Sequence, residues 1–243
     1  MRFFSKTDIG TKRAENQDRV FAGQLSDSAC AIVICDGMGG ENAGSRASQM
    51  TVDFITTRFK RDFHDESNRN TIRNLMVNAV VTANTLVYEE ACEDSEKYGM
   101  GTTCVAAIVH NERAHIINVG DSRAYRIFDD NIQQITKDHT YVRTLIDDGT
   151  ITEEEGLIHP NRNAITRAIG AEAAVVPDYF EVELSGDDIL LLCSDGLHTY
   201  GNDAQIAEII VNNPKNKACD LLIDYAIAKD GRDNITVAII INN

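Results

Sequence analysis

Four aspartates sit at the ends of apolar runs spread over most of the 243-residue chain: Asp36 in AIVICDGMGG, Asp121 in INVGDSRAY, Asp195 in ILLLCSDGL and Asp233 in GRDNITVAII. A carboxylate at the mouth of a hydrophobic strand is partly desolvated, and it is costly to keep ionised unless positive charge meets it. One Asp-Gly pair is an ordinary turn. Four such sites, with Asp18 in AENQDRV as a fifth, point to distant strands converging to hold hard divalent cations through oxygen.

The segments carry different weight. In Asp36-Gly37-Met38-Gly39-Gly40 the glycines permit a sharp turn and close backbone approach, so the Gly37 carbonyl can join the Asp36 carboxylate as a ligand. Taken alone, that turn reads equally well as a solvated aspartate. It lacks the Gly-Lys-Ser/Thr ending of a phosphate loop. Ser194-Asp195-Gly196 and Arg232-Asp233-Asn234 each read alone as structural turns, but with Asp36 they supply carboxylates enough to bridge two cations. Two ions about 3.5–4 Å apart lower the pKa of a shared water towards neutrality and make it a nucleophile. Carboxylate, carbonyl and water ligands suit magnesium or manganese rather than zinc.

Arg13 stands five residues before Asp18. Beside a metal site a guanidinium grips phosphate through two parallel hydrogen bonds; without that context it is a surface arginine. His139 in KDHT reads as a residue that caps or packs a turn rather than as a proton donor. Ser122 and Ser194 have neither a neighbouring histidine nor the spacing of a nucleophile elbow, which argues against a serine triad. The Glu153–Glu155 run reads as a solvated helix start.

The elements that must position these residues follow from periodicity. Residues 2–9 and 19–24 read as short strands, and Ala29–Cys35 as a buried one. Gly44–Arg61 and Thr71–Cys92 carry apolar residues at helical spacing and predict two long amphipathic helices, each laid on a sheet. From Gly101 the period shortens. TTCVAAIV, an Asn111-Glu112 turn, AHIINVG, AYRIF, an Asp129-Asp130-Asn131 turn and IQQIT predict an antiparallel meander. Residues 138–175 form a polar, irregular excursion, of a length usually tied to function. Strands at Asp178–Leu184 and Ile189–Cys193, helices at Ala204–Val211 and Lys215–Lys229 and a strand at Ile235–Ile241 complete the pattern. It fits a β-sandwich with helices on its outer faces, not a doubly wound parallel sheet.

Composition narrows the function. The chain is 43% hydrophobic and 25% charged, with three prolines and no linker-like tract, so a single domain over 1–243 is expected. A net charge of −15 argues against binding nucleic acid through a basic face. The six cysteines form no C-x-x-C pair and mostly lie in apolar strands, as small buried hydrophobes in a reducing compartment do. Neither a signal peptide nor an apolar stretch near the ~18 residues of a membrane span is visible, so a soluble, cytoplasmic chain is expected.

Together these segments resemble the metal-dependent serine/threonine protein phosphatases of type 2C, in their compact bacterial form. The similarity rests on Arg13-x-x-x-x-Asp18, DGMGG at 36–40, GTT at 101–103, GDSR at 120–123, DHT at 138–140, SDGL at 194–197 and DN at 233–234. Each piece is weak, while all seven in this order are specific. The resemblance implies an α+β fold: a central sandwich of two antiparallel sheets flanked by pairs of antiparallel helices, four layers αββα, with the metals at one end. It implies two core Mn2+ or Mg2+ ions, with Asp36 bridging them, the Gly37 carbonyl on one, and Asp195 and Asp233 on the other. Asp18 would bind through water, Arg13 would receive the substrate phosphate, and Asp121 with Asp195 would form a third, weaker metal site. Residues 141–175 would be a flap beside the site.

The activity implied is hydrolysis of phosphoserine and phosphothreonine monoesters by a metal-activated bridging water, without a phosphoenzyme. The expected partners are phosphorylated proteins, among them a serine/threonine kinase whose autophosphorylation is reversed; the chain is expected to be a monomer. Two departures stand out. Gln17 replaces a glutamate common in relatives, which predicts lower metal affinity there. Met38 stands where animal members carry a proposed general-acid histidine, so leaving-group protonation would fall to metal-bound water or another group. A catalytically silent phosphoprotein-binding module and a hydrolase of small phosphate esters are the alternatives.

Overall fold

The computed structural model describes residues 1–39, 43–129 and 131–242. Gly40 of the DGMGG turn and Asp130 of the predicted 129–131 turn therefore lie outside the described residues. Two antiparallel sheets face each other. The first has the order β1 (Arg2–Asp8), β11 (Ile235–Ile241), β10 (Ile189–Cys193), β7 (Arg123–Phe128), β8 (Asn131–Gln134). The second has the order β2 (Asp18–Ser26), β3 (Ala29–Met38), β5 (Cys104–His110), β6 (Arg113–Val119), β9 (Asp178–Glu183), and the short β4 (Gly101–Thr102) pairs with the end of β3.

The continuous apolar runs have a plain physical reason. Strand side chains alternate between faces, and both faces of these strands are covered. In β3, Ala31, Val33 and Cys35 join the core beneath α1 (Ala43–Asp62) and α2 (Arg69–Glu93), while Cys30, Ile32 and Ile34 pack between the sheets. In β11, Val237, Ile239 and Ile241 meet α6 (Asp203–Asn212) and α7 (Lys215–Lys229), while Ala238 and Ile240 turn inwards. The result is the four-layer αββα sandwich. Five of the cysteines are buried in it and Cys92, on α2, is exposed. Among the described residues no helix is long and apolar enough to cross a membrane.

Two expectations need correction. Strands 104–134 do not form one meander: β5 and β6 belong to the second sheet, β7 and β8 to the first, and the chain changes sheets at Gly120-Asp121-Ser122. Turn residues alone do not distinguish a hairpin from such a crossing. The Asn111-Glu112 turn is a true hairpin, with both φ values positive at 50° and 57°, as a type I′ turn requires. The excursion after residue 138 is less irregular than its composition suggests. It contains α3 (Tyr141–Asp147), capped by the Thr140 hydroxyl, and α4 (Glu153–Leu157), opened by a capping box between Thr152 and Glu155. The acidic run is thus a solvated helix start.

Candidate active site

Antiparallel register brings the aspartates to one end of the sandwich. Asp18 opens β2 directly opposite Asp36 near the end of β3. Cys193 closes β10 opposite Val237 of β11 and Arg123 of β7, so Asp195, which opens the short α5 (Asp195–His198), lies with Asp233 and Asp121 just beyond the same edge. Like charges placed opposite each other across strands are destabilising. The carboxyl groups respond accordingly. Burial first, then Asp18 and Asp195, hold Asp36 well above the usual carboxylate range, and burial with Asp121 and Asp233 does the same to Asp195. Asp18 is pushed up to about 6 by burial and by Asp233, and Asp121 to about 6 by burial and Asp138.

Their backbones are tightly held. Thr103 Oγ1 accepts the Asp36 N–H at 3.0 Å, Thr102 Oγ1 donates to the Asp36 carbonyl at 2.8 Å, and Thr103 bonds Ser122 at 2.7 Å. GTT is therefore the bracket that fixes Asp36 and ties it to the sheet-crossing turn. A Cβ at Gly37 would lie 2.2 Å from the Gly44 carbonyl oxygen, so only glycine lets β3 pass the start of α1 this closely. Gln17 contributes through its backbone: its carbonyl accepts from Gly37 N–H and Ser48 Oγ, while its side-chain oxygen lies against Gly44.

The GDSR and DHT segments interlock. Asp138 grips the Arg123 guanidinium, its closest oxygen 2.6 Å from Nη2. His139 Nδ1 accepts the Gly120 N–H at 3.1 Å, so Nε2 carries the ring proton and faces Asp178 at 3.2 Å. His139 packs a turn, as its setting in the sequence suggests, and burial lowers its pKa. His198 lies under Asp121, with Nε2 3.0 Å from the Asp121 carbonyl; burial keeps the ring neutral by lowering its pKa to about 3. Ser194 donates to Asp18 Oδ2 at 2.7 Å and accepts from Thr236 N–H at 2.9 Å, so both serines of interest serve the scaffold.

Arg13 projects from the 9–17 loop at the rim and donates to Asp233 Oδ2 at 2.6 Å. Asp233, Asp36 and Asp195 all raise its pKa, which places one permanent cation over this acidic floor. Asp18 Oδ1 and Asp195 Oδ1 are buried and meet no donor. Buried carboxylate oxygens left without donors are what a hard cation satisfies, and the all-oxygen donor set fits magnesium or manganese. Among the described residues no three His, Cys, Asp or Glu side chains close into a ready ligand set.

A protein-family model for protein phosphatase 2C matches residues 10–213. The chain belongs to the protein phosphatase 2C family. A serine/threonine phosphatase, stp, of Listeria innocua is 34% identical over 98% of this chain and 94% of that protein. Protein phosphatase PhpP of Streptococcus pneumoniae is 33% identical over 98% of the chain and 96% of its own length. The solved serine/threonine phosphatase Stp1 of Staphylococcus aureus superposes with a TM-score of 0.93 at 37% identity, covering 99% of this chain and 94% of that one. The catalytic domain of the phosphatase PstP, solved with two manganese ions, gives a TM-score of 0.83 at 31% identity, covering 98% and 96%.

Within this protein phosphatase 2C scaffold the seven sequence segments all reach the same end of the sandwich or the turns that brace it. What the sequence left unassigned is the bracing: Thr102, Thr103, His198 and above all Asn234. Thr102 and Thr103 stood in the GTT segment and Asn234 in the DN pair without a role, and His198 follows Asp195 by three residues.

Proposed function

We propose that this chain hydrolyses phosphoserine and phosphothreonine monoesters on proteins, with two Mn2+ or Mg2+ ions, and that residues 1–243 act as one catalytic domain. One observation supports this most: five aspartates, remote in sequence, crowd one end of the sandwich, burial and neighbouring carboxylates raise four of them (Asp18, Asp36, Asp121 and Asp195) above the usual carboxylate range, and two buried carboxylate oxygens lack donors. Asp36, the Gly37 carbonyl, Asp195 and Asp233 would hold the core ions, and Asp18, with Oδ2 engaged by Ser194, would contribute through water. Asp121 and Asp195, each close enough to perturb the carboxylates around it, would hold a third, weaker ion. When bound, paired dications activate water for in-line attack and offset charge on the phosphoryl oxygens.

The protein's own groups do the rest. Arg13 leaves Asp233 and clamps two oxygens of the substrate phosphate, which aligns phosphorus for attack. The Thr102–Thr103 bracket keeps the Asp36 backbone from shifting as charge moves. Ser122 and Ser194 are committed to scaffold bonds rather than placed as nucleophiles, which favours direct attack by water without a phosphoenzyme. Residues 141–175 would act as a flap that shapes substrate access. The substrates would be phosphorylated proteins, including a serine/threonine kinase, met in the cytoplasm by a monomer. The net charge of −15 disfavours nucleic acid as a partner.

The test is turnover of p-nitrophenyl phosphate and a phosphothreonine peptide in manganese, in magnesium and in chelator. Asp36→Ala and Asp233→Ala are each expected to lose at least about 10³-fold in kcat while remaining folded. Full activity in both variants would sink the assignment. Binding of phosphopeptide without turnover would favour a silent binding module. Preference for small metabolite esters over phosphopeptides would favour the other hydrolase class.

A further inference from the structure

We infer that Asn234 is a positioning residue that sets Arg13 over the site, an inference that rests on the role proposed for Arg13. Arg13 is carried by residues 9–17, the connection between β1 and β2, which has no regular element of its own. A loop on the surface supplies no rigidity to the side chain it carries. Thr11 ties the loop to the Gly231 carbonyl through its N–H at 2.6 Å and its hydroxyl at 2.9 Å, and Asn234 adds three bonds that span Arg13. Its Oδ1 accepts the Gln17 N–H at 2.8 Å, and its Nδ2 donates to the carbonyls of Ile9 and Glu15, both at 3.0 Å. These three bonds fasten the loop on both sides of Arg13. The residue is 6% exposed, so the bonds are sheltered from water.

The same residue is fixed to the acidic floor. Its backbone N–H donates to Asp233 Oδ1 at 2.8 Å, while Arg13 holds Asp233 Oδ2 at 2.6 Å. A Cβ on Gly196, beside Asp195, would lie 2.1 Å from the Asn234 carbonyl oxygen, so the Asn234 backbone abuts that turn. The loop also passes hard against the turn that precedes β11: Gly10, at φ +75°, would place a Cβ 2.1 Å from the Asp233 carbonyl oxygen. One residue thus registers three things with one another: the loop that bears Arg13, the Asp233 carboxylate and the Asp195 turn.

The chemistry admits only an amide. Nδ2 faces two carbonyl oxygens and must donate to both, whereas Oδ1 faces an N–H and must accept. Aspartate has the same shape and keeps the Gln17 bond, but it sets a carboxylate oxygen against two carbonyls. Asn234→Asp therefore loosens the loop without opening a cavity.

The experiment measures kcat and KM with p-nitrophenyl phosphate at saturating manganese for the wild type, Asn234→Asp, Arg13→Ala and the double variant. It adds backbone amide exchange at Gln17 for the wild type, Asn234→Asp and Asn234→Ala. Asn234→Asp is expected to raise KM about tenfold with kcat changed less than about threefold. In the Arg13→Ala background the further loss is expected to fall below about twofold, because the two residues act as one unit. Gln17 exchange is expected to quicken by about tenfold or more in Asn234→Ala, which removes its acceptor, and by less in Asn234→Asp, which keeps that acceptor but frees the rest of the loop. Wild-type kinetics in Asn234→Asp, an equal loss in both backgrounds, or unchanged Gln17 exchange in both variants would each overturn the inference. A wild-type protein without metal-dependent turnover would remove the phosphatase reading instead, and the exchange measurement would still decide whether Asn234 holds the loop.

Discussion

At the scale of single residues, the site is assembled against its own electrostatics. Asp18 faces Asp36 across two strands, and burial, with the charge of Asp18, holds the Asp36 carboxyl well above the usual carboxylate range. Evolution of a functional site commonly accepts such local instability. Replacing one member of the pair relieves it: Asp36→Asn is expected to make the metal-free protein more stable by about 1 kcal/mol or more. The same variant is expected to lose catalysis. Urea denaturation in chelator checks the first effect, and lower stability in Asp36→Asn would contradict the repulsion described here. The aspartates themselves were legible in the sequence because each interrupts an apolar run that has no other use for charge. Asn234 was visible only as half of a DN pair, since its side-chain partners Ile9, Glu15 and Gln17 stand more than 200 positions away.

At the scale of elements, the stretch after residue 138 is anchored at its far end by one buried side chain. Asn84 of α2, 1% exposed, accepts the Gly170 N–H at 2.8 Å and donates to the Glu172 carbonyl at 3.0 Å. Backbone bridges add to this, Thr140 to Ile165 and, beside Gly170, Thr102 to Ile169. Asn84→Ala leaves the buried Gly170 N–H without its acceptor, at a cost of about 1–3 kcal/mol. The expected outcome is faster proteolytic nicking within 158–176, with the sheets unaffected. Nicking at the wild-type rate would show that the tether is dispensable. The long helices and most strand limits were legible because amphipathic period and apolar run length are local properties. The change of sheet at Gly120 was not, because a glycine turn looks alike whether the chain folds back on its neighbour or crosses the sandwich. Helix α3 was hidden by polar composition, whereas the start of α4 was legible in its acidic run, with Thr152 and Glu155 at capping-box spacing.

At the scale of the whole molecule, the crowded carboxylates couple folding to protons and cations. Asp18 and Asp121 have folded pKa values near 6, above the unfolded aspartate value of 3.8. Their contribution to metal-free stability is thus fully present below about pH 4 and is lost as pH rises through about 6. Each pH unit of such a shift corresponds to about 1.4 kcal/mol for one group. A dication needs the same groups ionised, so protons compete with it at pH 5 and do not at pH 8. The buried, neutral His115, its pKa lowered to about 4 by burial, opposes this trend by weakening the fold as pH falls from about 6.5. It does so with or without metal, and therefore cancels in the comparison. The gap in thermal midpoint between manganese-loaded and metal-free protein is accordingly expected to widen from pH 5 to pH 8, by about 2–4 °C for each kcal/mol of proton competition removed. Paired scanning calorimetry in manganese and in chelator measures it. A gap that stays constant over that range would mean that the dication draws its stabilisation from groups other than these aspartates.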